Sequence, residues 1–208
     1  SDVYKRQEYT VWTDERTDSM KRKVRKGCYG YLAYQKKTSL IRTILFFALS
    51  LAIYIMGILS TGSNRNLLTI VAVLGCLPAC KSAVSTIMFF RASGCSETAK
   101  KKIAAYDDIL TGFYDMYFTS YKKNFPISHM VLKGNVVCAF TESEKCDCNA
   151  GEKHLEHMLA QGGYKHLTIK IFNNLDKYID RLGQLLKLDA EEQRNRQEII
   201  QTFHSISL

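Results

Sequence analysis

Apolar and polar positions along this chain change period repeatedly, and each change predicts a change of element. From Thr43 to Asn64, 22 consecutive residues carry no charge. Their apolar part, Thr43 to Ser60, predicts a helix rising about 27 Å, close to the hydrocarbon thickness of a bilayer. Between Arg65 and Arg91 lie 25 residues with one charge, Lys81. Residues 66–80 alone are short for a crossing, and residues 82–90 complete the length. Pro78 removes a backbone donor in the middle of this run, which predicts a kink or a bend into an interfacial helix from Lys81 onward. Only TGSNRN separates the two runs, so spans of about 43–60 and 66–90 should form an antiparallel transmembrane hairpin over residues 43–90.

Past residue 91 the apolar runs shorten. A helix is expected over Ser96 to Leu110, opened by Ser96 as a cap with Glu97 in its first turn, and Gly112 ends it. Tyr114 to Tyr121 reads as a strand or as continued helix. Ile127 to Leu132 and Val136 to Thr141 read as strands joined at Gly134-Asn135, a pair suited to a tight hairpin turn. The run VVCAF is apolar on both faces, which places that strand centrally. After the polar loop ESEKCDCNAG, Leu155, Met158 and Leu159 mark a helix that Gly162 and Gly163 stop. Leu167 to Phe172 alternates as a strand. Asn173 or Asn174 then caps a helix carrying Leu175, Tyr178, Ile179, Leu182, Leu185 and Leu186. A last helix is expected from Ala190 to about His204, apolar only at Ile199, Ile200 and Phe203. Residues 92–208 therefore suffice for one small α+β domain, helices on a small, mostly antiparallel sheet.

Charge orients this plan. Residues 20–42 form a basic juxtamembrane segment of eight Lys or Arg (Lys21, Arg22, Lys23, Arg25, Lys26, Lys36, Lys37 and Arg42) and no acidic residue. The connecting turn holds Arg65, and Arg91, Lys100, Lys101 and Lys102 follow the second span. This asymmetry predicts a multi-pass cell-membrane protein with both termini and the α+β domain cytoplasmic. The net charge of +9 invites a nucleic-acid reading, but residues 92–208 hold 15 Lys or Arg against 15 Asp or Glu. The excess lies on and beside the spans, where the partners are the lipid bilayer and anionic lipid headgroups rather than nucleic acid. Residues 1–19, opening on SDVYKRQ, read as non-native or upstream read-through, with Met20 as the natural start.

The segments GCYGYLAYQKKTSLIR, RNLLTIVAVLGCLPACKSAVS and CAFTESEK, in that order, resemble a family of small uncharacterised bacterial two-span membrane proteins. The resemblance runs from Met20 to about Leu188. Some members carry the label "O-linked GlcNAc transferase-like", which the residues do not support, since no 34-residue helical repeat and no sugar-nucleotide site is present. The resemblance implies a membrane hairpin with an α+β tail and supplies no catalytic residue.

The candidate chemistry is sparse. Cys146 and Cys148 on a loop, followed by His154 and His157 one helical turn apart, have the donor types for tetrahedral zinc, with C-x-C tighter than the usual spacing. The bland reading makes them surface polar residues, and a redox thiol pair is the third. Lys81 is an ionisable group within a span, whose stem can snorkel to the interface, pair in an oligomer or serve transport. Seven cysteines, an odd number, read as free thiols in a reducing compartment. Asp107, Asp108 and Asp115 with Glu142 or Glu144 are a possible carboxylate cluster for metal-dependent hydrolysis. No G-x-S-x-G, Walker loop, H-E-x-x-H or G-x-G-x-x-G occurs, so no enzyme class is assigned. The aromatic run of Tyr106, Phe113, Tyr114, Tyr117, Phe118, Tyr121 and Phe125 supplies core and an interaction face. The expected function is a membrane-anchored cytoplasmic module engaging a protein partner or forming a homo-oligomer. Its rivals are a metal- or small-molecule-binding membrane sensor using the Cys146–His157 region, and a transporter subunit built around Lys81.

Overall fold

A computed structural model describes residues 24–63, 66–107, 109–164, 166–188 and 196–208. The expectations for Ser1 to Ser19, Met20 as start, Lys21 to Lys23, Arg65, Asp108 and Ala190 lie outside the described residues.

Two long helices, α1 (Tyr31–Thr61) and α2 (Leu67–Arg91), form an antiparallel hairpin. Small residues line the seam: Ser39, Thr43, Ser50 and Gly57 on α1 and Ala72, Ala79, Ser82 and Thr86 on α2 are buried. The Ser39 hydroxyl lies 2.7 Å from that of Thr86, and the Thr43 hydroxyl lies 2.8 Å from that of Ser82. Further along, a Cβ on Gly75 would come within 2.8 Å of Ser50 Oγ. Small side chains at these steps let the backbones approach, and the paired hydroxyls satisfy one another away from water. The outer surface is the reverse, with Leu45, Leu49, Leu59, Leu74, Leu77 and Ile87 all exposed. Both helices are long and apolar enough to cross a membrane, and only 17% of each apolar window is buried, whereas a core helix of a soluble protein is mostly covered.

Two details add to the expectation. Helix α1 begins at Tyr31, well before its apolar run, because Tyr31, Leu32 and Ser39 are buried and carry the helix through the basic stretch. Helix α2 runs unbroken through Pro78 to Arg91, held along its length against α1.

The remaining elements are α3 (Glu97–Asp107), β1 (Gly112–Thr119), β2 (Asn124–Lys133), β3 (Val136–Phe140), α4 (Cys148–Gln161), β4 (Thr168–Phe172), α5 (Leu175–Leu186) and α6 (Arg196–Ile206). The strands form one sheet in the order β1-β2-β3-β4. The pairs β1–β2 and β2–β3 are antiparallel, and Gly134 takes a positive φ in the turn between β2 and β3. Strand β4 lies parallel to β3, so the sheet is mixed and the expectation of a mostly antiparallel sheet is corrected. The reason is the connection, since α4 sits between β3 and β4 and supplies the crossover that a parallel neighbour needs. As expected, β3 is central, and Ser96 and Asn174 cap their helices by accepting from Ala99 N and Asp176 N; Asp147, which the sequence did not single out as a cap, does the same for α4 by accepting from Ala150 N.

One sheet face packs Phe118, Ile127, Met130 and Ile171 against Leu155 and Leu159 of α4 and Ile199 and Phe203 of α6. The other packs Tyr114, Val131, Cys138 and Phe140 against Ile103 of α3 and Tyr178, Leu182 and Leu185 of α5. The domain is therefore a helix–sheet–helix sandwich. A third cluster of Tyr31, Leu32, Phe89, Ala92 and Tyr117 joins the base of the hairpin to β1.

The seam fixes which residues face each other across the hairpin. In a cysteine-free background, Ser50→Cys with Gly75→Cys should form an intramolecular disulfide under mild oxidation. Leu51→Cys with Leu74→Cys, both exposed outward, should not. Non-reducing gel mobility reads the difference.

Candidate functional site

The least ordinary residue in the chain is Asp115, in the middle of β1. Its side chain is 3% exposed, and its φ of 56° is the one positive value at a non-glycine among the described residues. Such a conformation costs about 1–3 kcal/mol and persists only where surrounding contacts enforce it. The contacts are clear. Asp115 Oδ2 accepts from Gly30 N at 2.8 Å and Oδ1 accepts from Cys95 N at 2.8 Å, with the Leu32 N–H also directed at the carboxylate. Helix α1 has no cap from its own N-terminal residue, Gly30, which sits at φ 83°. A carboxylate 85 residues further along the chain does that work instead. It also lies where the positive end of the α1 dipole favours an anion. Burial pushes the Asp115 carboxyl up, and the backbone N–H groups of Cys95, Gly30 and Leu32 pull it part of the way back.

The same carboxylate interrupts the strand. Phe113, Met116 and Phe118 of β1, and Ile127, Met130 and Leu132 of β2, belong to one core face, so the alternation slips by one residue in both strands at Asp115 and Ser128. That slip turns Asp115 off the sheet and towards the hairpin. A Cβ on Gly94 would meet Asp115 Oδ1 at 2.9 Å, which explains glycine where the chain leaves α2 and passes the carboxylate.

A second set of contacts ties the segment before α1 to the far end of the chain. Lys26 Nζ donates to His204 O at 2.7 Å and Ser207 O at 2.6 Å, so a lysine from the basic segment caps the C-terminal carbonyls of α6. Tyr114 N donates to Gly27 O at 2.7 Å, and Leu208 N donates to Tyr117 O at 2.8 Å. The outer edge of β1 is thereby covered from both ends of the described chain. The His204 ring stacks edge-on against Phe113, and its Nδ1 is buried without a hydrogen bond. Burial, and then the Lys26 charge, lower the His204 pKa.

Under the other sheet face lies a polar network. His129 in β2 is fully buried; its Nδ1 lies 2.7 Å from the Tyr178 hydroxyl and its Nε2 lies 3.2 Å from Asp107 Oδ1. The latter pair is close enough for ion pairing, though its alignment falls outside hydrogen-bond geometry. The Tyr114 hydroxyl donates to Asp107 Oδ2. Burial, and then the hydrogen bond to Asp107, raise the Tyr114 pKa, and burial raises that of Tyr178, so both phenols remain protonated. The two ring nitrogens of His129 face different neighbours, Nδ1 the Tyr178 hydroxyl and Nε2 the Asp107 carboxylate. One histidine thus links α3, β1, β2 and α5. The His129 side chain is fully buried, while that of Asp107 is 26% exposed.

The residues singled out from sequence are placed as follows. Cys146 and Cys148 are half-buried against the α4 side of the core, and burial raises both thiol pKa values, which makes them poorer thiolate ligands. His154 packs its ring on Phe125, and exposed His157 pairs with Gln161. His157 also lines a shallow open hollow with Lys153, Glu156, Ala160, Tyr164 and Leu167. Among the described residues, no three His, Cys, Asp or Glu side chains come together as a metal site. The carboxylates expected to cluster are committed separately: Asp115 to Gly30 and Cys95, Glu142 to Ser96 N at 2.9 Å, and Asp107 to Tyr114 and His129. Cys95, between Asp115 and Glu142, is pushed up to about 12 by burial first and those charges second. Lys81 is exposed on the outer side of α2. Of the aromatic run, Phe113, Tyr114, Tyr117, Phe118 and Phe125 are core, while Tyr121 is fully exposed. Sequence reasoning passed over Asp115 as a clamp, His129 and Lys26. The available signal was a polar residue at an interior position, Asp within GFYDMYF and His within ISHMVL.

In comparisons with protein families, with curated proteins and with solved structures, nothing matches this chain.

Removing the Asp115 carboxylate strands buried backbone donors. Asp115→Ala should destabilise the protein by about 3 kcal/mol and Asp115→Asn by less, since the amide oxygen keeps one contact. Thermal unfolding of the detergent-solubilised chain gives the ranking. For His204, the folded-state pKa lies below the unfolded one, so its contribution is present above about pH 6.5 and is lost as pH falls through the lowered folded value. The Tm should therefore drop between pH 7.5 and 5, and His204→Gln should flatten part of that drop.

Proposed function

We propose that the protein is a membrane-anchored module: α1 and α2 cross the bilayer as a hairpin, and the α+β domain works on the cytoplasmic side, engaging a protein partner or a second copy. One observation carries the reading. Beyond the base where Tyr31, Leu32 and Phe89 are buried, the two longest helices bury small residues against each other and leave most of their large apolar side chains uncovered, which is stable where lipid supplies the cover. The joint through Asp115 and Lys26 adds to it, because it holds the domain against the hairpin base. The orientation rests on the basic residues gathered at that base. The exposed Tyr121 and the hollow on α4 are the surfaces this reading offers to a partner. The resemblance to two-span membrane proteins points the same way.

Alkaline carbonate should leave the full chain in the membrane pellet, and recovery in the supernatant would end the anchored reading. In a cysteine-free background, a membrane-impermeant maleimide added to intact cells should label Ser63→Cys. It should reach Tyr121→Cys only after permeabilisation, and the reverse pattern would invert the topology.

A further inference from the structure

The seam of the hairpin sets the depth of every charge on it. Thr43 faces Ser82, and Ser39 faces Thr86. Lys81 therefore stands one residue deeper than Ser82, level with Ile44, and Arg42 stands beside Ser82, to whose hydroxyl its Nε donates at 3.4 Å. Two cations that are 39 positions apart in sequence thus occupy one narrow level of the hairpin, where the uncharged run of α1 begins. Lys36, Lys37 and Arg91 follow towards the domain. No acidic residue occurs from residue 24 to residue 96, and no carboxylate among the described residues pairs with Arg42 or Lys81. The hydroxyls at this level are closed on one another, with Thr43 Oγ1 within 2.9 Å of both Ser82 and Thr86. Large apolar side chains, Ile41, Val84 and Ile87, are exposed on the adjoining turns, on the domain side of this level. Unneutralised cations interleaved with exposed apolar side chains fit the boundary between headgroups and acyl chains. The Ser82 contact engages only Nε of Arg42, and the four remaining guanidinium N–H groups are disposed for a bidentate phosphate contact.

We propose that this level is a binding site for anionic phospholipid headgroups, with Arg42 holding the phosphate and Lys81 adding a second charge. The inference rests on the membrane-anchored reading and deepens it: the bilayer is a ligand with a preferred headgroup, and Lys81 is part of that site rather than of a transport path.

The full chain is reconstituted in vesicles of equal phosphatidylcholine and phosphatidylglycerol, extracted with mild detergent and examined by native mass spectrometry for retained lipid. Phosphatidylglycerol should exceed phosphatidylcholine among the retained lipids, by roughly fivefold for each cation engaged. Arg42→Gln and Lys81→Gln together should bring the ratio to within about twofold of the bulk mixture, while Lys153→Gln on α4 should leave it unchanged. Equal retention of the two lipids, a ratio unmoved by the double variant, or loss of the preference in 10 mM inorganic phosphate would each overturn the proposal. Carbonate extraction of the same vesicles separates the two failures: a chain that leaves the membrane refutes anchoring, whereas one that stays without headgroup preference refutes only this site.

Discussion

The structure depends on one buried carboxylate. Helix α1 starts at a glycine with no cap of its own, and the chain leaving α2 turns past the same point with its own backbone donors unspent. Asp115 satisfies both, and to do so it accepts a strained backbone and breaks the alternation of two strands. About 1–3 kcal/mol of local strain is offset by charge-assisted hydrogen bonds worth about 1.5–3 kcal/mol each. The balance favours the clamp, and the hairpin and the sheet become continuous through it.

The rest of the joint follows. With α1 and the exit of α2 fixed on β1, Tyr31, Leu32 and Phe89 of the hairpin bury against Tyr117. The segment before α1 lies along the free edge of β1, where Gly27 accepts a strand hydrogen bond and Lys26 reaches the end of α6. An uncovered sheet edge is a hazard for misassociation, and here it is closed by chain from both sides. The Asp107–His129–Tyr178 network, with Tyr114, does comparable work inside the domain, binding two strands to two helices around a fully buried imidazole.

Much of this was legible in the residues. The two apolar runs, the Gly134-Asn135 turn, the central position of VVCAF, the caps at Ser96 and Asn174, and the helical stripe of Tyr178, Leu182 and Leu185 all follow from local chemistry, and the structure has each of them. What escaped was non-local. The direction of β4 depends on how α4 crosses the sheet, and a five-residue alternating strand carries no sign of direction. The start of α1 at Tyr31 depends on a cap supplied by Asp115, which no window around Gly30 contains. The structural weight of Asp115, His129 and Lys26 was hidden because each acts on partners 20 to 181 residues away. Cys146 and His157 stood out because they are close in sequence; in the fold Cys146 packs against the core and His157 pairs with Gln161.

The clasp between Lys26 and the end of α6 has a consequence for how the molecule is made. Its two halves are 178 residues apart, so at ribosomal speeds of about 5–20 residues per second the lysine waits on the order of ten seconds or more for its partner. By then both apolar helices and the first three strands have left the ribosome, and the stretch of β1 around Tyr117 still has a bare edge. Closure of that edge therefore waits for the last described helix, and the interval before it is the period in which a nascent chain is most open to chaperones or to pairing with a neighbour of its own kind.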